Sequence, residues 1–179
     1  MTTIAIGESA PSFALPDTDG AMQALEGSGE AAAPATVVVF TCNHCPYALA
    51  WHDRLLDATR DYAPRGVRFL AVNPNDGSRH PADSYEAMQQ RVAEEDWPLP
   101  YLHDAAQDVA RGFGARTTPD VFVVDSDGRL RYRGAPDSDY ADPSQRAGWL
   151  REALDDLLAG REVGRPQTEP VGCSVKWRA

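Results

Sequence analysis

Residues 36–45, with the sequence TVVVFTCNHC, join an apolar run to two cysteines, Cys42 and Cys45. A β-branched run of this length is typical of a buried strand. Over residues 47–62 apolar side chains recur at helical spacing, which predicts a helix directly after the cysteines. A dithiol where a strand gives way to a helix is typical of a thiol-disulfide exchange site. The sequence therefore places the chemistry of this chain at residues 42–45.

The remaining patterns alternate between strands and helices. They predict a hairpin turning at Asp19-Gly20, a surface loop over 26–34, a strand over 67–73, a helix over 81–96, an extended edge segment over 97–102, a short helix capped at Asp104, a hairpin turning at 125–128, and a helix from Asp142-Pro143 to Gly160. This order predicts an α/β fold of the thioredoxin-like type. We expect a central mixed β-sheet flanked by helices, an N-terminal hairpin extension and an irregular C-terminal tail.

Composition limits the class of protein. The 179 residues fit one domain over 1–179, with a core at about 34–160 and a tail at 161–179. Three cysteines are too few for a secreted disulfide scaffold, and a net charge of -10 argues against nucleic-acid partners. The first eight residues contain no basic leader, and no run approaches the ~20 apolar residues of a membrane span. We expect a cytoplasmic protein without a membrane partner.

The two cysteines have different expected roles. Cys42 is expected to be exposed and nucleophilic, because a helix N-terminus lowers a cysteine pKa from ~8.5 to roughly 3.5–7.5 in such motifs. Cys45 is expected to resolve the mixed disulfide. His44 and Asn43, which lie between them, are expected to tune the pKa. Pro46 disfavours helical angles at Cys45, so the helix either begins at the proline or has a distorted first turn.

Other interpretations of these residues are open. The cysteine pair could be half of a zinc site completed by His44 or Cys173, or it could be inert core packing. His44 could simply be solvated. A second motif, Thr118-Pro119, precedes the apolar strand pattern at 121–124, and a cis bond there would turn the backbone of Thr118 outward, although only ~5% of X-Pro bonds are cis.

Four segments together resemble the redoxin-type, peroxiredoxin-like branch of the thioredoxin superfamily, which includes the alkyl hydroperoxide reductase/thiol-specific antioxidant type. They are residues 42–47, 100–104, 118–125 and 172–177, and the likeness spans nearly the whole chain. The resemblance implies that Pro119 is cis, that its loop faces the dithiol, and that Thr118 offers its backbone to an extended substrate strand.

The chain also departs from that family. Where peroxiredoxins carry a threonine or serine and an arginine to bind peroxide, this chain has Val39 and Pro119. Arg116 is the nearest replacement for the arginine and is therefore a candidate peroxide-site residue. The group that deprotonates Cys45 is not identified by the sequence. Cys173 could resolve an oxidised Cys42 if the tail folds over the site, or it could simply pack with Trp177.

These observations predict a thiol-disulfide oxidoreductase that acts on protein or small-molecule thiols and disulfides. It would use a thioredoxin- or glutathione-type reductant and hold neither a cofactor nor a metal. One alternative is a thiol peroxidase with antioxidant activity, in which Cys42 is peroxidatic and Cys45 or Cys173 resolves. Another is a metal-binding or interaction module without turnover.

Overall fold

A computed structural model describes residues 2–26 and 32–179. The strands are β1 (Phe13–Pro16), β2 (Met22–Leu25), β3 (Ala35–Phe40), β4 (Arg68–Asn73), β5 (Tyr101–His103), β6 (Thr117–Thr118), β7 (Asp120–Asp125), β8 (Leu130–Gly134) and β9 (Cys173–Ser174). The helices are α1 (Pro46–Tyr62), α2 (Tyr85–Glu94), α3 (Asp108–Phe113) and α4 (Gly148–Leu158), with short 3-10 turns at Ala63–Arg65 and Pro81–Asp83.

The central sheet has five strands in the order β5-β4-β3-β7-β8. Strand β3 is parallel to β4 and antiparallel to β7, and Val38 lies between Leu70 and Phe122. The hairpin β7-β8 supplies one edge and β5 the other. The predicted mixed sheet is therefore confirmed, and the predicted edge segment forms β5 at its end.

Apolar clusters cover both faces of this sheet, which explains why β3 is a continuous apolar run. Val37 and Val39 face the cluster that includes side chains of α1, α2 and α4. Val38 and Phe40 face the second cluster, to which α3 and the N-terminal hairpin β1-β2 contribute. All six residues of β3 are buried. The two cysteines thus follow a strand whose residues are all buried in the sheet.

Three helix starts differ from the prediction. The short helix α3 begins at Asp108 with Gln107 as its N-cap, and the Asp104 carboxylate accepts from the amides of Val109 and Ala110 instead. The last helix begins at Gly148 and not at Asp142, because the Asp142 carboxylate accepts hydrogen bonds from the amide and hydroxyl of Ser144 and closes a local turn instead. The predicted helix over 81–96 is split by Ser84, whose side chain caps α2 by accepting from the amide of Ala87.

The tail is less irregular than predicted. Residues Cys173–Ser174 form β9, which pairs antiparallel with β6. The N-terminal hairpin is confirmed by the pairing of β1 with β2. Most of the predicted loop over 26–34 lies outside the described residues. None of the helices in the described ranges is long and apolar enough to cross a membrane.

A buried carboxylate joins α1 to the segment before α4. Asp137 is 1% exposed; it accepts hydrogen bonds from Trp51 Nε1 at 2.7 Å, from Arg54 Nη1 at 2.9 Å and from the amide of Ala147 at 2.9 Å.

Asp137→Ala would leave the Arg54 guanidinium without its carboxylate. We therefore expect the free energy of unfolding to fall by about 3 kcal/mol or more in urea titrations. Asp57→Ala, which removes an exposed ion pair, should change it by less than about 0.5 kcal/mol. Equal losses in the two variants would contradict this prediction.

Candidate active site

The two cysteines lie where β3 gives way to α1. Cys42 follows the strand by two residues, and Cys45 is the N-cap of the helix with extended backbone angles, φ -72° and ψ 125°. Pro46 occupies the first helical turn, where its missing N–H costs nothing. Of the two options left open by the sequence, the structure has the helix beginning at the proline.

Both sulfurs are shielded from solvent. Cys42 and Cys45 are each 0% exposed, and they pack with Ala48, Tyr47 and Cys173. The predicted exposure of Cys42 is therefore wrong. The sequence could not show this, because two of the residues that contact the dithiol, Thr118 and Cys173, are distant from it along the chain.

Thr118 contacts both sulfurs. The Thr118-Pro119 peptide bond is cis, which confirms the expectation from the family resemblance. The Thr118 hydroxyl oxygen lies 3.2 Å from Cys42 Sγ, and the Cys45 thiol donates to the Thr118 carbonyl oxygen at 3.1 Å. The loop of Thr118 and Pro119 therefore faces the dithiol and holds the two sulfurs at one place.

The dithiol pair shares a hydrogen bond that separates its two pKa values. Donation from Cys42 lowers the pKa of Cys45 to about 4, with further lowering by Cys173 and against the opposing effect of burial. The same hydrogen bond, burial and the nearby Asp83 carboxylate raise the pKa of Cys42. The two sulfurs therefore share one proton and one negative charge as a pair. The raised pKa of Cys42 contradicts the predicted lowering for this closed, reduced state.

Asp83 is a site residue that the sequence analysis missed. Its carboxylate is 0% exposed and accepts hydrogen bonds from the amide of Asn43 at 2.7 Å, from Asn75 Nδ2 at 2.9 Å and from Asn73 Nδ2 at 3.3 Å. His44 Nδ1 forms an ion-pair contact with it. In the sequence this aspartate lies at a predicted helix start, where an acidic residue is ordinary, so no local signal marked it.

His44 lies near both this carboxylate and the first cysteine. Ligand atoms of Cys42, His44 and Asp83 lie within 4.8 Å of one another, the kind of grouping that could hold a metal ion among the described residues. This set differs from the Cys42-Cys45 pair of the zinc alternative. Both Asp83 oxygens already accept hydrogen bonds, and the Cys42 sulfur is hydrogen-bonded to the Thr118 hydroxyl, so the lone pairs that a metal ion would use are largely occupied.

Asn43 holds the shape of the loop between the cysteines. Its side-chain amide donates to the Ala82 carbonyl at 2.9 Å, and its Oδ1 accepts from Tyr101 Oη at 2.8 Å and from Arg91 Nη1 at 3.2 Å. Arg91 also donates to the Cys42 carbonyl oxygen at 3.2 Å. Arg91 thus links the Asn43 side chain to the backbone carbonyl of Cys42. The role of Asn43 in tuning the pKa stays a prediction.

The remaining candidates, Arg116 and Cys173, differ in whether they contact the dithiol. The guanidinium of Arg116 donates to Glu169 Oε2 at 3.3 Å and is half exposed. Cys173 packs against the dithiol cluster, whereas Trp177 packs on the other face of the sheet under Arg111. The predicted packing of Cys173 with Trp177 is therefore wrong, and the tail does fold over the site.

The charge shared by Cys42 and Cys45 can be tested by thiolate ultraviolet absorbance. In the reduced protein we expect one thiolate at neutral pH that disappears as the pH falls through about 4, because the hydrogen bond between the two sulfurs stabilises the anion of the pair. Cys45→Ser should remove this absorbance, and Cys173→Ser should retain it. A thiolate that appears only above the ordinary thiol pKa of ~8.5 would contradict the assignment.

Comparisons with known proteins identify the family and the fold of this chain. The AhpC/TSA family matches residues 6–133. An uncharacterized conserved protein from Geobacillus kaustophilus is 39% identical, with a TM-score of 0.91 over 97% of this chain and 93% of that one. A hypothetical protein from Sinorhizobium meliloti is 34% identical, with a TM-score of 0.90 over 99% and 97%.

A more distant structure has the same fold. A thiol-disulfide oxidoreductase from Bacteroides fragilis is 18% identical, with a TM-score of 0.61 over 81% of this chain and 98% of that one. The search of curated proteins gave no match. The fold is thioredoxin-like, and the chain belongs to the AhpC/TSA family of redoxins.

Proposed function

We propose that this chain is a thiol-disulfide oxidoreductase that exchanges disulfides through Cys42 and Cys45. The observation that carries the proposal is the contact of both sulfurs with Thr118, immediately before a cis proline. Membership of a redoxin family supports oxidoreductase chemistry. The separated pKa values of the pair add a reason, since a thiolate at neutral pH is the reactive form of a thiol.

The contacts of Thr118 favour the form in which Cys42 attacks. When one proton moves along the hydrogen bond between the sulfurs, Cys42 becomes the thiolate and Cys45 the thiol. The Thr118 hydroxyl then donates to Cys42, while its carbonyl accepts from Cys45. Both polar groups of this residue are satisfied in that arrangement, so Thr118 lowers the cost of placing the charge on the attacking sulfur.

The exchange then follows in two steps. The Cys42 thiolate attacks one sulfur of a substrate disulfide, forming a mixed disulfide and releasing the other substrate sulfur as a thiolate that takes up a proton. Cys45 attacks Cys42 Sγ and releases the second substrate thiol, leaving a Cys42-Cys45 disulfide. The substrate gains two electrons and the pair loses two. A ring nitrogen of His44 lies within 4.8 Å of Cys42 Sγ and beside the Asp83 carboxylate, and we propose His44 as the group that exchanges the proton of Cys42.

A thiol peroxidase is the second candidate, favoured by the antioxidant branch to which the family name refers. In that case Cys42 would become a sulfenic acid and condense with Cys45 or Cys173. The peroxide-binding positions argue against efficient peroxide reduction. Val39 is an apolar residue buried in β3, and Arg116 is paired with Glu169. We therefore rank the peroxidase below the exchange reaction, and a metal-binding module below both.

The partners follow from the reaction. We propose protein or small-molecule disulfides as substrates and a thioredoxin- or glutathione-type thiol as the source of electrons. No tightly held cofactor is needed, because the two electrons are carried by the sulfur-sulfur bond itself. The cytoplasm is the compartment we propose.

The exchange reaction can be tested by reduction of a protein disulfide, such as insulin, with dithiothreitol as reductant. We expect Cys42→Ser and Cys45→Ser each to lower the rate on the order of a hundredfold, because either change prevents the cycle from closing. Cys45→Ser should also accumulate a mixed disulfide on Cys42, visible by mass spectrometry.

Ser174→Ala is the matched control, because it changes an exposed side chain beside the site. Hydrogen peroxide separates the two candidate reactions. If hydrogen peroxide oxidises Cys42 of Cys45→Ser to a sulfenic acid far faster than it oxidises free glutathione, the ranking is reversed and thiol peroxidase becomes the favoured function.

The role of Thr118 can be tested with Thr118→Val, which preserves the shape of the side chain and removes the hydroxyl. We expect the exchange rate to fall about tenfold, because a hydrogen bond to a charged group contributes about 1.5 kcal/mol or more. Thr117→Val is the control, since its hydroxyl donates to the Pro119 carbonyl and not to a sulfur. Equal rates in the two variants would show that the hydroxyl of Thr118 does not support the reaction.

A further inference from the structure

The C-terminal tail forms a strand beside the cis-proline loop. Strand β9 pairs antiparallel with β6, so that Cys173 lies opposite Thr118 and Ser174 opposite Thr117. The amide of Val175 donates to the carbonyl of Arg116 at 3.1 Å and extends the pairing. Because Thr118 contacts both sulfurs of the dithiol, this register brings the third cysteine to the same place.

Polar contacts hold the tail in this register. The Lys176 carbonyl accepts from the amide of Asp76 at 2.9 Å and from Gln107 Nε2 at 2.9 Å, and its amide donates to Asn75 Oδ1 at 2.9 Å. The amide of Arg178 donates to Gln107 Oε1 at 2.8 Å. Backbone groups just after β9 are thus bound by the loops that contain Asn75, Asp76 and Gln107, which fixes the position of Cys173.

The approach of the tail also needs a residue without a side chain. A Cβ atom at Gly172 would lie 2.3 Å from the Thr118 carbonyl oxygen, far inside van der Waals contact. Since that atom belongs to the backbone, it cannot turn away as the end of a side chain could. Glycine at this position therefore permits Cys173 to reach the dithiol.

Cys173 is the one cysteine of the three that reaches the surface. Cys42 and Cys45 are 0% exposed, whereas Cys173 is of intermediate burial and packs against their cluster. Burial raises the pKa of Cys173 to about 11, with the hydrogen bond to Cys45 and the charge of Cys45 adding to the shift. Oxidation of Cys45 removes that charge, so Cys173 ionises more readily once the dithiol has become a disulfide.

We propose that Cys173 is a third redox thiol, which takes the disulfide from the buried pair and presents it at the surface as a Cys45-Cys173 bond. The inference rests on the proposed exchange function of Cys42 and Cys45. In the step itself, the Cys173 thiolate attacks Cys45 Sγ, the Cys42-Cys45 bond breaks and the Cys45-Cys173 bond forms. Cys42 leaves as a thiolate and takes up the proton that Cys173 lost, so the number of electrons on the protein is unchanged.

The relay ends with an external thiol of the glutathione class. That thiol attacks the partly exposed Cys173 Sγ, forms a mixed disulfide and releases Cys45 as a thiolate. A second such thiol attacks the external sulfur, frees Cys173 and leaves as the oxidised disulfide of the reductant. Two external thiols are oxidised and the dithiol is restored. This path gives a buried disulfide a route to reduction without exposing Cys42.

The relay can be tested on the full-length chain by oxidising it with diamide, blocking free thiols with N-ethylmaleimide and mapping disulfides by mass spectrometry without reduction. We expect both Cys42-Cys45 and Cys45-Cys173 bonds in the wild type. Cys42→Ser should form the Cys45-Cys173 bond alone. Gly172→Val should retain the Cys42-Cys45 bond and lose the other, because its side chain displaces the strand.

Reduction of the oxidised protein by glutathione gives the second measurement. We expect Cys173→Ser to be reduced at least about tenfold more slowly than the wild type, since a positioned intramolecular thiol acts at high effective concentration. Ser174→Ala should be reduced at the wild-type rate. The relay is overturned if the wild type forms only the Cys42-Cys45 bond and Cys173→Ser is reduced at the wild-type rate. That result would not contradict the exchange function. Absence of any disulfide within the chain overturns both.

Discussion

The register between β3 and β7 is the constraint on which the site depends. Phe40 pairs with Asp120 at one end of these antiparallel strands. The chain therefore leaves β3 toward Cys42 at the same sheet end where it enters β7 from Thr118. A shift of one residue would exchange the side chains of β3 between the two clusters, moving Phe40 to the face that now packs Val37 and Val39, so packing on both faces fixes this register. The contact between the dithiol and the cis-proline loop thus depends on packing of the core around β3 and β7.

Burial makes the polar groups around the dithiol interdependent. A carboxylate such as Asp83 is tolerated at 0% exposure only because amide donors surround it. One of these donors, Asn75, uses its other side-chain atom to accept from the tail amide of Lys176. The same side chain therefore contacts the carboxylate beside Cys42 and the strand that contains Cys173. Displacement of the tail would leave this amide oxygen without its partner, which couples the tail to the loop around the first cysteine.

The sequence predicted those parts of the fold whose signals are local. The buried strand before Cys42, the helix after Cys45 and the hairpin with its turn at 125–128 are confirmed, because apolar periodicity and turn residues act over a few positions. The burial of both sulfurs, the contact with Asp83 and the strand at Cys173 were not predicted. Each depends on residues tens of positions apart, and nothing in the local pattern shows which distant element covers a site. The predicted start of α4 was wrong for a different reason. An aspartate side chain can accept a backbone N–H two residues later in a turn as well as at a helix N-cap, and Asp142 does so in a turn.

The docked tail also bears on how substrates reach the site. An extended peptide substrate would pair with the backbone edge of Thr117–Thr118, and β9 already occupies that edge. A protein substrate must therefore compete with a strand that is tethered to the same chain and held by its contacts to Asn75, Asp76 and Gln107. A tethered strand acts at high effective concentration, so only a substrate with strong contacts beyond this edge can displace it. In the proposed relay, a small thiol needs no backbone pairing and acts on Cys173 with the tail in place. The closed arrangement would thus separate the two proposed classes of partner by geometry: small thiols act at the surface, and peptides must first displace the tail.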